Sequence, residues 1–132
     1  MIAIDTSVLA RYVLQDAPPE QQAAAQFLAA NLCTVSWTVL VELSWVLERS
    51  AGLPRSEVID GIWAIANMEH VSVPDQEKLD WALERYASGA DFADMIHLVA
   101  AQGGSSEFAT FDRRMERQAG ESTPLPIRTL RA

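Results

Sequence analysis

The sequence has few of the features that would cross-link the chain or anchor it in a membrane. Its 132 residues include one cysteine, Cys33, which excludes an intrachain disulfide and a cysteine-based zinc site. We expect Cys33 to be a buried small side chain. The longest apolar run, near residues 38–47, is interrupted by Glu42 and is too short to cross a bilayer. The N-terminus lacks the basic leader and cleavage site of a secretory signal, so we expect a cytoplasmic protein without a membrane partner.

Basic residues are also scarce. Ten Lys and Arg face 18 Asp and Glu, which gives a net charge of −8. This is the wrong sign for a protein that holds nucleic acid by bulk neutralisation of phosphates. The objection weakens if several of the acids share one metal site, because bound divalent cations reverse the local field. The positions of the acids therefore decide the interpretation.

The chain is long enough for a single domain spanning residues 1–132, and its 49% apolar content predicts a real core. Short β-rich segments alternate with helical patterns of 10 to 15 residues. Strands are predicted at 2–5, 33–36, 70–73, 107–110 and 126–130, and helices at 6–16, 19–32, 38–52, 54–68, 76–87 and 92–102. This alternation predicts parallel crossovers, hence a three-layer α/β/α sandwich with a central, mainly parallel sheet of four to five short strands.

Two aspartates come at the ends of predicted strands, Asp5 after the first and Asp112 after the fourth. Ligands of parallel α/β sheets gather at the carboxyl ends of the strands, so these side chains are candidate ligands. The stretch GADFADMIHLVAA adds Asp91 and Asp94 at the head of a helix. One interpretation is that they cap the helix, and the other is that residues three apart point at the same cation.

Glu42 is the fifth candidate. It lies in the middle of a predicted helix that is apolar on nearly every side. A buried carboxylate is costly unless it is paired or bound to a metal, so Glu42 is either a ligand, an edge position, or the partner of an arginine such as Arg11.

These five acids come from four separate segments, and the hypothesis is that they converge. Oxygen ligands without a His or Cys cluster select a hard ion, Mg²⁺ or Mn²⁺, rather than zinc. One or two such ions can activate water and stabilise the oxyanions of a phosphodiester displacement. The residues thus indicate a metal-dependent phosphodiesterase.

Four blocks of the sequence resemble those of PIN-domain proteins, specifically the VapC-type toxins of bacterial toxin–antitoxin pairs. The blocks are IAIDTSVLARYVLQD, VSWTVLVELSWVL, GADFADMIHLVAAQGG and FATFDRRM. The resemblance spans nearly the whole chain. It implies a parallel α/β/α sandwich and a Mg²⁺- or Mn²⁺-dependent endoribonuclease that cuts an RNA substrate and is held in check by a cognate antitoxin.

The resemblance assigns the family's four acids to Asp5, Glu42, Asp94 and Asp112, as catalytic residues and metal ligands. Asp91 lies beside the pocket in relatives with a DFAD sequence, where it would bind metal through water or cap the helix. Three hydroxyl residues flank the strand ends and could hydrogen-bond carboxylates or metal waters, although all three also suit caps and turns: Thr6, Ser7 and Thr110.

Other polar and aromatic residues have ordinary interpretations beside the functional ones. Three arginines after Asp112 could guide an RNA backbone or simply offset nearby acids: Arg113, Arg114 and Arg117. His97 is predicted to be a packed residue rather than a general base. The four tryptophans are spread along the chain, which favours core or interface anchors over base-stacking platforms: Trp37, Trp45, Trp63 and Trp81.

The apolar helices around residues 39–47 and 58–66 suggest a homodimer surface or an antitoxin groove, although a buried core helix has the same pattern.

Two alternative functions remain for the chain. One is a catalytically silent PIN-like binding module. The other is a receiver-like phosphotransfer domain with Asp5 as nucleophile; it lacks the second acid two residues after Asp5, where Ser7 stands, and its only lysine, Lys78, lies in a predicted helix.

Overall fold

A computed structural model describes residues 1–132. Its tertiary contacts divide the chain into two compact units, Met1–Gln76 and Glu77–Ala132. Each unit contains its own parallel β-sheet.

The first unit contains a three-stranded sheet in the order β1-β2-β3, with both neighbours parallel. Ile2 pairs with Cys33, and Cys33 pairs in turn with Val71. Parallel neighbours need helical crossovers, which the intervening helices supply. The elements are β1 (Ile2–Ala3), α1 (Thr6–Leu14), α2 (Pro18–Ala30), β2 (Cys33–Thr34), α3 (Trp37–Trp45), a π-helical segment (Val46–Ser50), α4 (Arg55–Ala66) and β3 (Val71–Ser72).

Leucine, isoleucine and cysteine side chains form the core of this unit. Fully buried members include Leu9 of α1, Leu28 of α2, Leu40 and Leu43 of α3, and Ile62 of α4, and Cys33 is buried as predicted. Spacings of three and four residues place such side chains on one face of each helix. At Gly61, an added Cβ would lie 3.2 Å from Val13 Cγ1, so glycine permits close packing between α4 and α1.

Several local predictions in the first unit are wrong. Ser36 rather than Thr38 caps α3, because its hydroxyl accepts the Val39 N–H at 3.3 Å. The predicted single helix 38–52 ends as α-helix at Trp45 and continues as the π-helical segment. The first strand was expected to be buried, but both residues of β1 are exposed. Of the two roles expected for the tryptophans, core or interface, exposure of 47% at Trp45 and 54% at Trp63 excludes only the core role for these two.

The second unit contains a two-stranded parallel sheet, β4 with β5, in which Phe108 pairs with Ile127 and Thr110 with Thr129. Arg128 of β5 forms a two-pronged ion pair with Glu107, with N···O distances of 2.6 and 3.0 Å. The elements are α5 (Gln76–Ala87), α6 (Phe92–Ala101), β4 (Phe108–Thr110), α7 (Met115–Ala119) and β5 (Ile127–Thr129).

The predicted α/β class with parallel strands is confirmed, with five strands and seven α-helices. The strands are hydrogen-bonded as groups of three and two rather than as one continuous ladder. No helix has both the length and the apolar content of a membrane span.

Candidate functional site

The N-terminus of α6 presents Asp91 and Asp94. Asp91 is the N-cap, and its Oδ1 accepts the backbone N–H of Asp94 at 2.9 Å. The capping interpretation of Asp91 is therefore observed directly. This bond satisfies one of the free N–H groups of the first turn and fixes the backbone from which the Asp94 side chain projects.

Gln118 of α7 forms a hydrogen bond with the same turn. Its Oε1 accepts the backbone N–H of Asp91 at 2.7 Å, while its own carbonyl accepts from Arg85 Nε of α5 at 2.8 Å. Gly120 leaves room for this arginine, because a Cβ there would lie 3.2 Å from Arg85 Nη2. Sequence reasoning missed Gln118, and no local pattern marks it, since its partner lies 27 residues away along the chain.

Asp112 lies two residues beyond β4, as predicted, in a turn closed by hydrogen bonds. Thr110 Oγ1 accepts the backbone N–H of Asp112 at 2.9 Å, which is the turn role rather than a contact with a carboxylate. The Asp112 carboxylate accepts the backbone N–H of Arg114 at 2.8 Å and both Nε and Nη2 of its guanidinium at 3.2 Å. These hydrogen bonds to Arg114 hold the pKa of Asp112 below its ordinary value.

Asp94 is affected by the charges of the two other candidate acids of this unit, Asp91 and Asp112. Its pKa is raised, first by burial of the carboxyl and then by the negative charges of Asp91 and Asp112, while His97 and Arg114 lower it by smaller amounts. The charges of Asp91 and Asp112 thus both act on Asp94 within the second unit. The prediction that His97 is packed is wrong, because its side chain is exposed.

In the first unit, Asp5 follows β1 and caps α1, a role that the sequence had suggested for Thr6 or Ser7. Its Oδ2 accepts from Ser7 Oγ at 2.8 Å and from the Ser7 backbone N–H at 3.4 Å. These hydrogen bonds from Ser7 lower the pKa of Asp5. Thr6 is 5% exposed, and its Oγ1 is buried without a hydrogen-bond partner.

Glu42 is exposed on α3, so the expected cost of burying its charge does not arise. The apolar surroundings were overestimated, because α3 buries only one face, with Leu40, Leu43 and Ser44. Arg11 is not its partner either, since that guanidinium pairs with Asp16 at 3.2 Å and Glu20 at 2.7 Å.

The three arginines near Asp112 differ in their contacts. Arg114 pairs with Asp112, although 69% of its side chain remains exposed. Arg113 and Arg117 are both exposed, and Arg117 lies in the last turn of α7.

A comparison with protein families places these residues in context. The family described as PIN domain matches residues 2–121. The chain belongs to the PIN-domain family. All five candidate acids lie inside the matched range, and PIN domains are generally nucleases, which supports a hydrolase at the level of class. A search of curated proteins found no match.

PIN nucleases typically use divalent metals. The candidate acids of the second unit supply only oxygen, which Mg²⁺ and Mn²⁺ prefer. Burial, and then the charges of Asp91 and Asp112, raise the pKa of Asp94, and a cation would relieve that repulsion. The chemistry of these carboxylates therefore suits Mg²⁺ or Mn²⁺. In position they do not form a closed site, since no group of three or more His, Cys, Asp or Glu side chains is placed so that it could hold a metal ion.

The capping role of Asp91 predicts different effects for two substitutions. Asp91→Ala removes the acceptor for the Asp94 N–H and should lower the free energy of unfolding by about 1 kcal/mol. Asp91→Asn keeps an acceptor and should leave stability close to that of the wild type. Urea denaturation of the three proteins measures this, and equal losses in both variants would contradict the capping role.

Proposed function

We propose that this PIN domain, spanning residues 1–132, is a cytoplasmic, Mg²⁺- or Mn²⁺-dependent endoribonuclease that acts as a VapC-type toxin. The observation that supports it best is the partly buried carboxyl of Asp94, on which the charges of Asp91 and Asp112 act, within a chain whose family match covers residues 2–121. A carboxyl whose pKa is raised by burial and by nearby negative charges, as that of Asp94 is, is typical of functional sites.

In this proposal Asp5, Glu42, Asp94 and Asp112 are the catalytic, metal-binding acids. The chemistry that a divalent ion supplies when bound is activation of water and stabilisation of negative charge on the phosphate. Asp91 fixes the backbone of Asp94 through its cap, and Thr110 fixes the backbone of Asp112. Ser7 fixes the carboxylate of Asp5 through its hydroxyl.

In this proposal, exposed arginines contact the RNA backbone. Arg113 and Arg117 are exposed positive charges in the segment that follows Asp112, on a chain of net charge −8. Because the whole molecule repels phosphate, we expect recognition to depend on these few arginines and on the shape of the RNA.

The proposal includes an antitoxin and a homodimer as partners. Its support is the exposure of two large aromatic side chains on neighbouring helices of the first unit, Trp45 on α3 and Trp63 on α4. Tryptophan is enriched at protein interfaces, where it contributes large apolar contact area.

Mapping of cleavage products tests the nuclease proposal. Total RNA is sequenced from its 5′ ends after controlled expression of the wild type and of Asp5→Asn. New ends that recur at defined positions with the wild type and are missing with Asp5→Asn are expected. The same ends with both proteins would contradict the proposal.

A second candidate function is a non-catalytic PIN-like binding module. The observation that favours it is the pairing of Asp112 with Arg114, which neutralises one of the four acids. Calorimetry with Mn²⁺ separates the two functions: no binding, together with no nuclease activity, would favour the binding module.

A further inference from the structure

Arg114 occupies the carboxylate of a candidate metal ligand. Its Nε lies 3.2 Å from Asp112 Oδ1, and its Nη2 lies 3.2 Å from Oδ2. The planar guanidinium fork matches a carboxylate, so both oxygens of Asp112 receive a charged donor. An ion that binds Asp112 directly must share or displace this contact.

The surroundings of Arg114 favour its present position. Besides Asp112, the negative charges of Asp94 and Asp91 also stabilise the guanidinium. The side chain thus serves as the local counterion for an acid group whose members otherwise repel one another.

The ion pair between Arg114 and Asp112 can nevertheless open. Arg114 is 69% and Asp112 29% exposed, and the two residues are only two positions apart in a turn. Exposed ion pairs contribute little net stability, because water solvates both partners when they separate. The backbone N–H of Arg114, which donates to Oδ1 at 2.8 Å, does not depend on the side chain. The guanidinium can therefore leave without loss of the turn.

We propose that the Arg114 side chain is an intramolecular competitor for the divalent ion: it neutralises Asp112 in the metal-free protein and is released from that carboxylate when the ion binds. This proposal rests on the proposed metal-dependent function. It makes metal affinity depend on a residue that is not itself a ligand. Once released, the guanidinium is free to contact an RNA phosphate.

The test is a titration of purified full-length protein with Mn²⁺ by calorimetry. Arg114→Met removes the guanidinium and keeps a side chain of similar length. The matched control is Arg113→Met. It removes the same charge from an exposed side chain at the preceding position. Arg114→Met should bind Mn²⁺ about two- to sixfold more tightly than the wild type, since the fraction of molecules with a free Asp112 rises by what an exposed ion pair is worth. Arg113→Met should differ from the wild type by less than about twofold, the residual effect of one exposed charge in a screened field.

A second measurement follows the arginine directly. In ¹⁵N spectra, the Nε–H signal of Arg114 should be protected from solvent exchange in the metal-free protein and lose that protection on addition of Mg²⁺. The signal is assigned by its absence in Arg114→Met.

The outcomes separate this proposal from the proposed function. Equal Mn²⁺ affinity in the wild type and Arg114→Met overturns the competition alone. Equal tightening in Arg114→Met and Arg113→Met also overturns it, because the effect would then be one of net charge. No Mn²⁺ binding in any of the three proteins overturns both proposals.

Discussion

We expect Asp94→Asn to abolish RNA cleavage and at the same time to raise the melting temperature of the metal-free protein at pH 7. The first effect is the loss of a proposed metal ligand. The second follows from burial and from the charges of Asp91 and Asp112, which make the charged form of Asp94 unfavourable in the folded state. Asparagine carries no charge, so the substitution removes both the cost of burying the charge and the repulsion from Asp91 and Asp112. A residue that contributed only to stability would not show this opposition between activity and stability.

The stability effect depends on pH in a defined direction. Because the pKa of Asp94 is raised on folding, the folded protein binds this proton more readily than the unfolded chain does. The destabilisation is therefore fully present above the folded pKa and is absent below the unfolded pKa. The difference in melting temperature between Asp94→Asn and the wild type should be a few degrees at neutral pH and should disappear as the pH falls through the aspartate range.

Calorimetric melting curves from pH 3 to pH 7, recorded with EDTA, measure this effect. Asp60→Asn is the control, since it makes the same change at an exposed position on α4. A lower melting temperature for Asp94→Asn at pH 7, or a difference that does not vary with pH, would contradict the electrostatic account.

Asp5→Asn should lower RNA cleavage by at least about 100-fold, because loss of an outer-shell partner of a metal site alone costs roughly 10- to 100-fold. The fold should remain intact, since asparagine still offers an oxygen to the Ser7 backbone N–H and hydroxyl. Asp5→Ala should lose the same activity and also lower the melting temperature, because it leaves α1 without its cap.

Single-turnover cleavage of the mapped RNA, beside thermal melts of both variants, checks this prediction. The pair of substitutions separates chemistry from folding at one residue. Substantial cleavage by a highly purified Asp5→Asn sample would show that Asp5 is only a helix cap.

Local sequence patterns predicted much of the fold. Helix α5 was predicted over 76–87 and is observed at Gln76–Ala87, because its apolar residues recur at helical spacing and Pro74 and Asp75 precede it. The acids at the ends of β1 and β4 were also found, since short apolar runs followed by Asp5 and Asp112 are visible in one dimension.

Contacts between distant residues could not be predicted in this way. The exposure of Glu42 depends on which face of α3 meets the core, and an all-apolar helix does not disclose that face. Gln118 reaches Asp91 only through the folding of α7 against the turn before α6. The cap of α1 was misplaced because Asp5, Thr6 and Ser7 are all good capping residues, and only the backbone geometry selects among them.

The bidentate ion pair between Arg114 and Asp112 shows another limit of prediction from sequence. Both residues were singled out from the sequence, Asp112 as a ligand and Arg114 as a contact for RNA. Their spacing of two residues permits the pair, but side-chain geometry decides whether it forms. The sequence thus identified the charged groups of this turn and left their pairing open.

The most direct test of the central claim is a calorimetric titration of the metal-free wild type and of Asp94→Asn with Mn²⁺ at pH 7. If the carboxylates around Asp94 hold a divalent cation, the wild type binds Mn²⁺ in a saturable manner and Asp94→Asn loses that binding. Indistinguishable titrations of the two proteins, or no saturable binding by the wild type, would contradict the account.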